Sequence, residues 1–171
     1  RFLSNNRTGY FPSASVAWRM DQEAFMEDWV EKGLSNLKFR LSYGSLGNNS
    51  VGNYDAIATY ANKPSSGSAF NYTLNNALIL GLAQARLANP ALTWESTYMT
   101  NVGFDFGLVN NKLTGTVDYF NKKTKDILVQ PPYLGIIGEG GYCWYNGASM
   151  ENKGFEVSLG YRDQTPFGLS Y

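Results

Sequence analysis

From Trp94 to Leu108 the chain alternates in character residue by residue. Even positions carry Trp94, Tyr98, Val102, Phe104, Phe106 and Leu108, odd positions carry Glu95, Thr97, Asn101, Gly103 and Asp105, and Met99 is the one apolar residue out of phase. The polar segment Val109-Asn110-Asn111-Lys112 follows, after which Leu113, Val117 and Tyr119 alternate with Thr114, Thr116 and Asp118. A period of two puts all the greasy side chains on one face of an extended segment, so this stretch predicts a long hairpin with one apolar and one polar face. Its arms exceed the usual soluble strand of about 5 to 6 residues and reach the roughly 9 to 11 needed to cross a bilayer at a tilt.

The same period recurs. Tyr10 to Met20 sets Tyr10, Ala14, Val16 and Trp18 against Ser13, Ser15, Ala17 and Arg19, with Pro12 near the start, where a missing donor is tolerated. Leu37, Phe39, Leu41 and Tyr43 alternate with Lys38, Arg40 and Ser42, and Phe155, Val157, Leu159 and Tyr161 with Glu156, Ser158, Gly160 and Arg162. A turn over 163–168 then leads into Leu169-Ser170-Tyr171, which begins another strand. One helix interrupts the pattern: Asp21 is placed to cap it, Phe25, Met26, Trp29 and Val30 form its apolar stripe against the base of the strands, and Gly33 suits its C-terminal end. Two polar excursions, about Asn48 to Ala91 and Gln130 to Lys153, make long loops at one end of the strands, with short connections at the other.

Composition removes whole classes of function. No His is present, so neither a Ser-His-Asp nor a Cys-His nucleophile can be assembled. The single Cys143 can close no internal disulfide and build no Cys-rich zinc site, and no metal or cofactor is expected. The 14 basic and 14 acidic residues balance, leaving no electrostatic footprint for nucleic acid. Charged residues make up 16%, below the roughly 25% usual for soluble domains, while aromatics reach 15%. There is no apolar run long enough for a transmembrane helix and no signal-peptide core at Arg1 to Asn6, but alternating barrel strands need neither. Two folds fit: a wall of outer-membrane barrel strands, or a soluble β-sandwich such as a carbohydrate-binding module.

Four stretches resemble the SusC/RagA branch of TonB-dependent outer-membrane transporters. They are FPSASVAWRM at Phe11 to Met20, LSNLKFRLSYGSLGNNSVGNY at Leu34 to Tyr54, NPALTWESTYMTNVGFDFGLVNNKLTGTVDYFNKKTKDILVQ at Asn89 to Gln130, and GASMENKGFEVSLGY at Gly147 to Tyr161. Their order matches the later part of that family's barrel. The resemblance implies an all-β fold of antiparallel membrane-spanning strands, part of a large barrel of the 22-stranded type, with one short periplasmic helix. Residues 1–171 would then be a partial barrel, with plug domain and TonB box absent. It further implies the outer membrane of a Gram-negative bacterium and import of a bulky nutrient, an oligosaccharide first and a peptide second. The partners would be a SusD-like surface lipoprotein, the TonB complex acting through the plug region, and outer-membrane lipid. No enzyme activity is implied.

The segment Gly138 to Tyr145 combines glycines with the rings of Tyr142, Trp144 and Tyr145. Rings stack on the apolar faces of sugars, so these three are candidate ligand contacts, although the same rings would serve equally to pack the loop or meet a partner. Asp105, Asp118, Glu95 and Glu156 have the parity of the polar face and read as pore-lining charges rather than a catalytic pair. Lys122, Lys123, Lys125 and Asp126 read as the wet end of a strand. Trp18, Trp94 and Tyr98 are candidates for an interfacial girdle. No role is assigned to the glycosylation-like triplets at Asn6, Asn48 and Asn71.

Overall fold

The computed structural model describes residues 1–62, 71–132 and 143–163. In chain order its elements are β1 (Ser13–Arg19), α1 (Glu27–Glu31), β2 (Leu34–Asn48), β3 (Thr59–Ala61), β4 (Asn71–Leu74), β5 (Ala77–Leu80), β6 (Ala83–Arg86), β7 (Glu95–Leu108), β8 (Leu113–Val129) and β9 (Tyr145–Tyr161). Short 3-10 turns cover Ser4–Asn6, Met20–Gln22 and Ala24–Met26. One five-stranded sheet runs β1-β2-β7-β8-β9, while β3 pairs with β6 and β4 with β5. The chain divides into two compact units: Arg1–Tyr10, Gly47–Ser96 and Thr124–Met150 in the first, Phe11–Leu46, Thr97–Lys123 and Glu151–Tyr171 in the second.

In the second unit each strand keeps the alternation of its sequence. β1 and β2 run antiparallel with Val16 opposite Leu41 and Trp18 opposite Phe39, which aligns their apolar sides. The rings of Phe39 and Phe104 meet at 5.0 Å and those of Tyr119 and Phe155 at 4.9 Å, carrying the same face from β2 to β7 and from β8 to β9. Across it, Val16 is 66% exposed, Leu41 43%, Leu159 68% and Phe155 74%. Among the described residues of this unit the only buried ones are Gly103, Gly107 and Gly115. Its described strands form a single sheet, with no second layer and no core among the described residues.

The apolar belt has defined margins. On β2, β7 and β9 it comprises four alternate apolar positions, ending at Leu37 and Tyr43, Val102 and Leu108, and Phe155 and Tyr161; on β8 it runs from Leu113 to Tyr119, with Gly115 at one of the four. Six residue steps span about 20 Å along a strand, the order of an outer-membrane apolar band. Just past the Tyr119–Phe155 pair the same face turns polar, where Asn121 Nδ2 donates to Glu151 Oε1 at 3.2 Å. At the other margin Trp18 Nε1 donates to Glu23 at 2.9 Å and Tyr161 Oη bonds Asp163 at 3.1 Å, so both rings lie in the belt and their polar tips reach outward.

The margin with the tight turn is held by backbone geometry. Val109, Asn110 and Asn111 all adopt positive φ (52°, 56° and 60°), and Lys112 N donates to Val109 O at 3.1 Å. Asn suits that conformation, but a β-branched Val does not. Val109 is retained there by its N–H, which donates to Gly33 O at 2.7 Å, while Asn111 N bonds Ser35 Oγ at 3.1 Å. Gly33, at φ 109°, ends the helical segment as expected.

The helix itself differs from the sequence expectation. Only Glu27–Glu31 is α-helical, its N-cap is Met26 with no side-chain cap, and Phe25, Trp29 and Val30 are exposed, with Phe25 meeting the strands only through the Trp18 ring of β1. Asp21 caps nothing: its carboxylate accepts from Arg19 Nη2 at 2.7 Å and from Leu37 N at 3.3 Å. That site has a cause, because the register puts Arg19 directly opposite Lys38, a like-charge pair that a carboxylate relieves. The Arg19 hydrogen bond, outweighing partial burial, holds the Asp21 carboxyl below its ordinary value near 3.8.

In the first unit a small core gathers Phe2, Val51, Ala56 and Leu92, with Trp94, Leu128 and Trp144 packed against it. Buried Asp55 accepts from Gly52 N at 2.6 Å and pairs with Arg86, tying the segment after β2 to β6. The excursion expected to be a loop thus contains β3 to β6, and β4–β5 turns tightly through Asn75 and Asn76, both at positive φ. The second excursion is shorter than expected, since β9 already begins at Tyr145. The strand expected from Leu169 lies outside the described residues.

Two outcomes follow, both read as thermal unfolding of the complete protein in detergent. Val109→Asn relieves the unfavourable φ while keeping the N–H and raises stability by about 1 kcal/mol; an unchanged or lower midpoint refutes the strain. The Asp21 contribution is fully present above its ordinary pKa and is lost as pH falls through the lowered one. Asp21→Asn should therefore be less stable than wild type at neutral pH, with the gap closing in strong acid. A gap independent of pH counts against the pairing.

Candidate functional site

The polar face of the sheet gathers its charges around Arg40. From the middle of β2 its Nε donates to Asp105 Oδ2 at 2.9 Å and its Nη2 to Asp105 Oδ1 at 2.7 Å, a forked contact across to β7. The same Nη2 reaches Asp118 on β8, at 3.0 and 3.1 Å to the two oxygens. One guanidinium thus joins three strands. Gly103, two residues before Asp105 on the same face, makes this possible: a Cβ there would enter the space held by the Asp118 carboxylate and the Arg40 guanidinium. The cluster keeps one surplus negative charge.

Beside it lies a shallow groove lined by Met99, Asn101, Phe120, Lys122 and Glu156 together with Arg40 and Asp118. A second groove runs past Ser13, Ser15 and Ser42 to the same Met99 and Asn101. Asn101 Oδ1 is enclosed and accepts no hydrogen bond among the described residues. This surface offers fixed charge, small hydroxyls and two apolar side chains. Among the described residues no group of His, Cys, Asp or Glu could hold a metal ion.

The expected carboxylates separate into three environments. Asp105 and Asp118 share Arg40; Glu156 lines the groove; Glu95 belongs to the first unit, where it accepts from Leu128 N at 3.1 Å and Asn48 Nδ2 at 3.4 Å and ties loop segments together. Of the three candidate ligand rings, Tyr142 lies outside the described residues. Trp144 is half-buried, packs against the small core, and its carbonyl accepts from Asn89 Nδ2 at 2.7 Å. Tyr145 is exposed at the start of β9. Trp18 and Tyr98 are exposed, whereas Trp94 is not a girdle residue: its ring stacks at a tilt on Phe2, centroids 5.5 Å apart, and its Nε1 donates to Asn6 O at 3.0 Å.

Sequence reasoning missed Arg40 as the centre of the site. Its parity was visible, but that β7 and not the sequence-adjacent β3 pairs with the second side of β2 was not. Met99 did signal, as the residue out of phase, and its apolar partner on the polar face is Phe120.

The family described as "TonB dependent receptor-like, beta-barrel" matches residues 1–171. Among curated relatives, the chain is 31% identical over 167 residues to TonB-dependent receptor P3 of Formosa agariphila, covering 96% of this chain and 15% of that protein. It is 31% identical over 166 residues to TonB-dependent receptor SusC of Bacteroides thetaiotaomicron, covering 93% and 15%. Among solved structures it is similar to the RagAB peptide importer in its closed-closed state, with TM-score 0.76 and 32% identity over 96% of this chain and 17% of that one. The chain therefore spans about a sixth of the relatives it matches.

Replacing Arg40 by Met strands two neighbouring carboxylates. Because the three side chains are partly exposed, the expected cost is about 1–2 kcal/mol, below that of a fully buried pair. Most of it should return in the Arg40→Met, Asp105→Asn, Asp118→Asn triple variant. A triple variant no more stable than the single one would show that the charges are not coupled.

Proposed function

The chain belongs to the TonB-dependent receptor β-barrel family, in its SusC/RagA branch, and from this we propose that the complete protein imports a bulky nutrient across the outer membrane. It is an outer-membrane protein, and its five-stranded sheet is a section of barrel wall. The observation that carries the proposal is the pairing of an exposed aliphatic and aromatic face with a polar face, in a unit whose only buried described residues are glycines. Lipid on one side and a wet lumen on the other satisfy both faces, whereas a soluble sandwich would need a second layer over Leu41, Val117 and Leu159.

In this reading the polar face contributes a charged, hydroxyl-rich wall against which a plug domain or a passing polar solute is held, with Arg40, Asp105 and Asp118 as its fixed charges. The plug would be moved by the TonB complex, and a SusD-like lipoprotein would close over the cargo. No bond in the cargo is made or broken. An oligosaccharide is the first cargo, with Tyr142, Trp144 and Tyr145 as contacts, and the exposed ring of Tyr145 offers a face on which a sugar can stack. A peptide is the second, favoured by the similarity to RagAB, a peptide importer.

Cells carrying the complete protein, offered fluorescent oligosaccharides and fluorescent peptides, should accumulate one class in a TonB-dependent manner. Tyr145→Ala should reduce uptake of that class with the protein still folded in the membrane. Uptake of neither class, or uptake indifferent to TonB, rejects the importer reading; Tyr145→Ala without effect rejects only the contact.

A further inference from the structure

We propose that Met20–Lys32 is an interfacial anchor that seats Phe25 and Trp29 among the phospholipid headgroups at the tight-turn margin of the barrel. The observation is a continuity of apolar surface. Trp18 lies on the lipid-facing side of β1, opposite Phe39, and its ring meets that of Phe25 at 6.2 Å, so the lipid face passes without a break from the strand to the connecting segment. Phe25 and Trp29 are 60% and 61% exposed, and Val30 is exposed beside them. The segment lies at the margin of the turn, since Val109 N bonds Gly33 O at 2.7 Å.

The rest of the segment fits the water side of such an interface. In α1, Glu27, Asp28 and Glu31 occupy the face opposite Trp29 and Val30, as 100° per residue requires. Lys32 sets its ammonium 5.9 Å from the Trp29 ring centre, covering the ring while its charge stays at headgroup level. Glu23 takes the Trp18 indole N–H and so fixes the polar boundary at the same level. Between Arg19 and Lys32 there are five carboxylates and two cations, so the anchor suits zwitterionic headgroups and is repelled by anionic ones. A helix this short is marginal alone in water, and lipid contact supplies the burial that its own fold does not.

The proposal rests on the outer-membrane reading, and its test separates the two. In the complete receptor, with Cys143→Ser, single nitroxide labels are placed through Phe25→Cys, Trp29→Cys, Glu27→Cys and Glu31→Cys, and through Val117→Cys as a wall control, in phosphatidylethanolamine-rich liposomes. Collision with oxygen relative to a water-soluble nickel chelate should be several-fold higher at 25 and 29 than at 27 and 31, and should fall when phosphatidylglycerol replaces phosphatidylethanolamine. Nickel-favoured collision at 25 and 29 with an oxygen-favoured label at 117 overturns the anchor and leaves the barrel wall intact. Labels at 25 and 29 shielded from both reagents also overturn it, since protein would then cover the segment. A nickel-favoured label at 117 removes the membrane reading and the anchor together.

Discussion

The structure depends on a layer of lipid that takes the place of a hydrophobic core. Four strands of 14 to 17 residues present an apolar face to which the described residues supply no cover, and in water this surface would be a large penalty. Hydrocarbon removes the penalty but accepts no unpaired N–H or C=O group, so every strand within it must be hydrogen-bonded on both sides. β1 and β9 flank the described sheet, and only barrel closure gives them partners for their outer edges. The side-chain pattern and the barrel architecture are two consequences of one solvent.

The polar face obeys a different rule. Toward a wet lumen a charge costs little to expose, yet the central charges of this face are drawn into one cluster, with a glycine at the point of closest approach. A guanidinium that bonds two carboxylates on separate strands works as a cross-tie: it fixes the register of β2, β7 and β8 against one another where the neighbouring side chains are mostly small. Beside it Asn101 Oδ1 accepts no hydrogen bond among the described residues and adds an open acceptor to the hydroxyls and charges of the grooves.

The alternation of Leu37 to Tyr43, Trp94 to Leu108 and Leu113 to Tyr119 made the strands, their faces and the hairpin turn legible, because a period of two is a local property of the chain. The site was less legible. Arg40 and Asp105 lie 65 residues apart, and no local signal says that β7 rather than β3 lies beside β2. The helix was misread for a related reason: the stripe Phe25, Met26, Trp29 and Val30 is amphipathic whether it faces protein or lipid, and periodicity does not say which. Trp94 illustrates the converse. A Trp one residue before a long strand suits a girdle, but Phe2, far away in sequence, provides a packing partner in the first unit. Strand β9 was read from Phe155 onward because Asn146 to Lys153 lacks an apolar face; that part of the strand is wet on both sides.

The two units also differ in how they tolerate change. The first has its own core of Phe2, Val51, Ala56 and Leu92, locked by Asp55 with Arg86 and by Asn146 bonding Thr93 O and Asp126 O, both at 2.9 Å. Its stability comes from interactions it contains. The second unit has no such reserve. There the side chains must be apolar on one face and polar on the other at every step, and a one-residue slip would turn Arg40, Asp105 and Asp118 toward lipid.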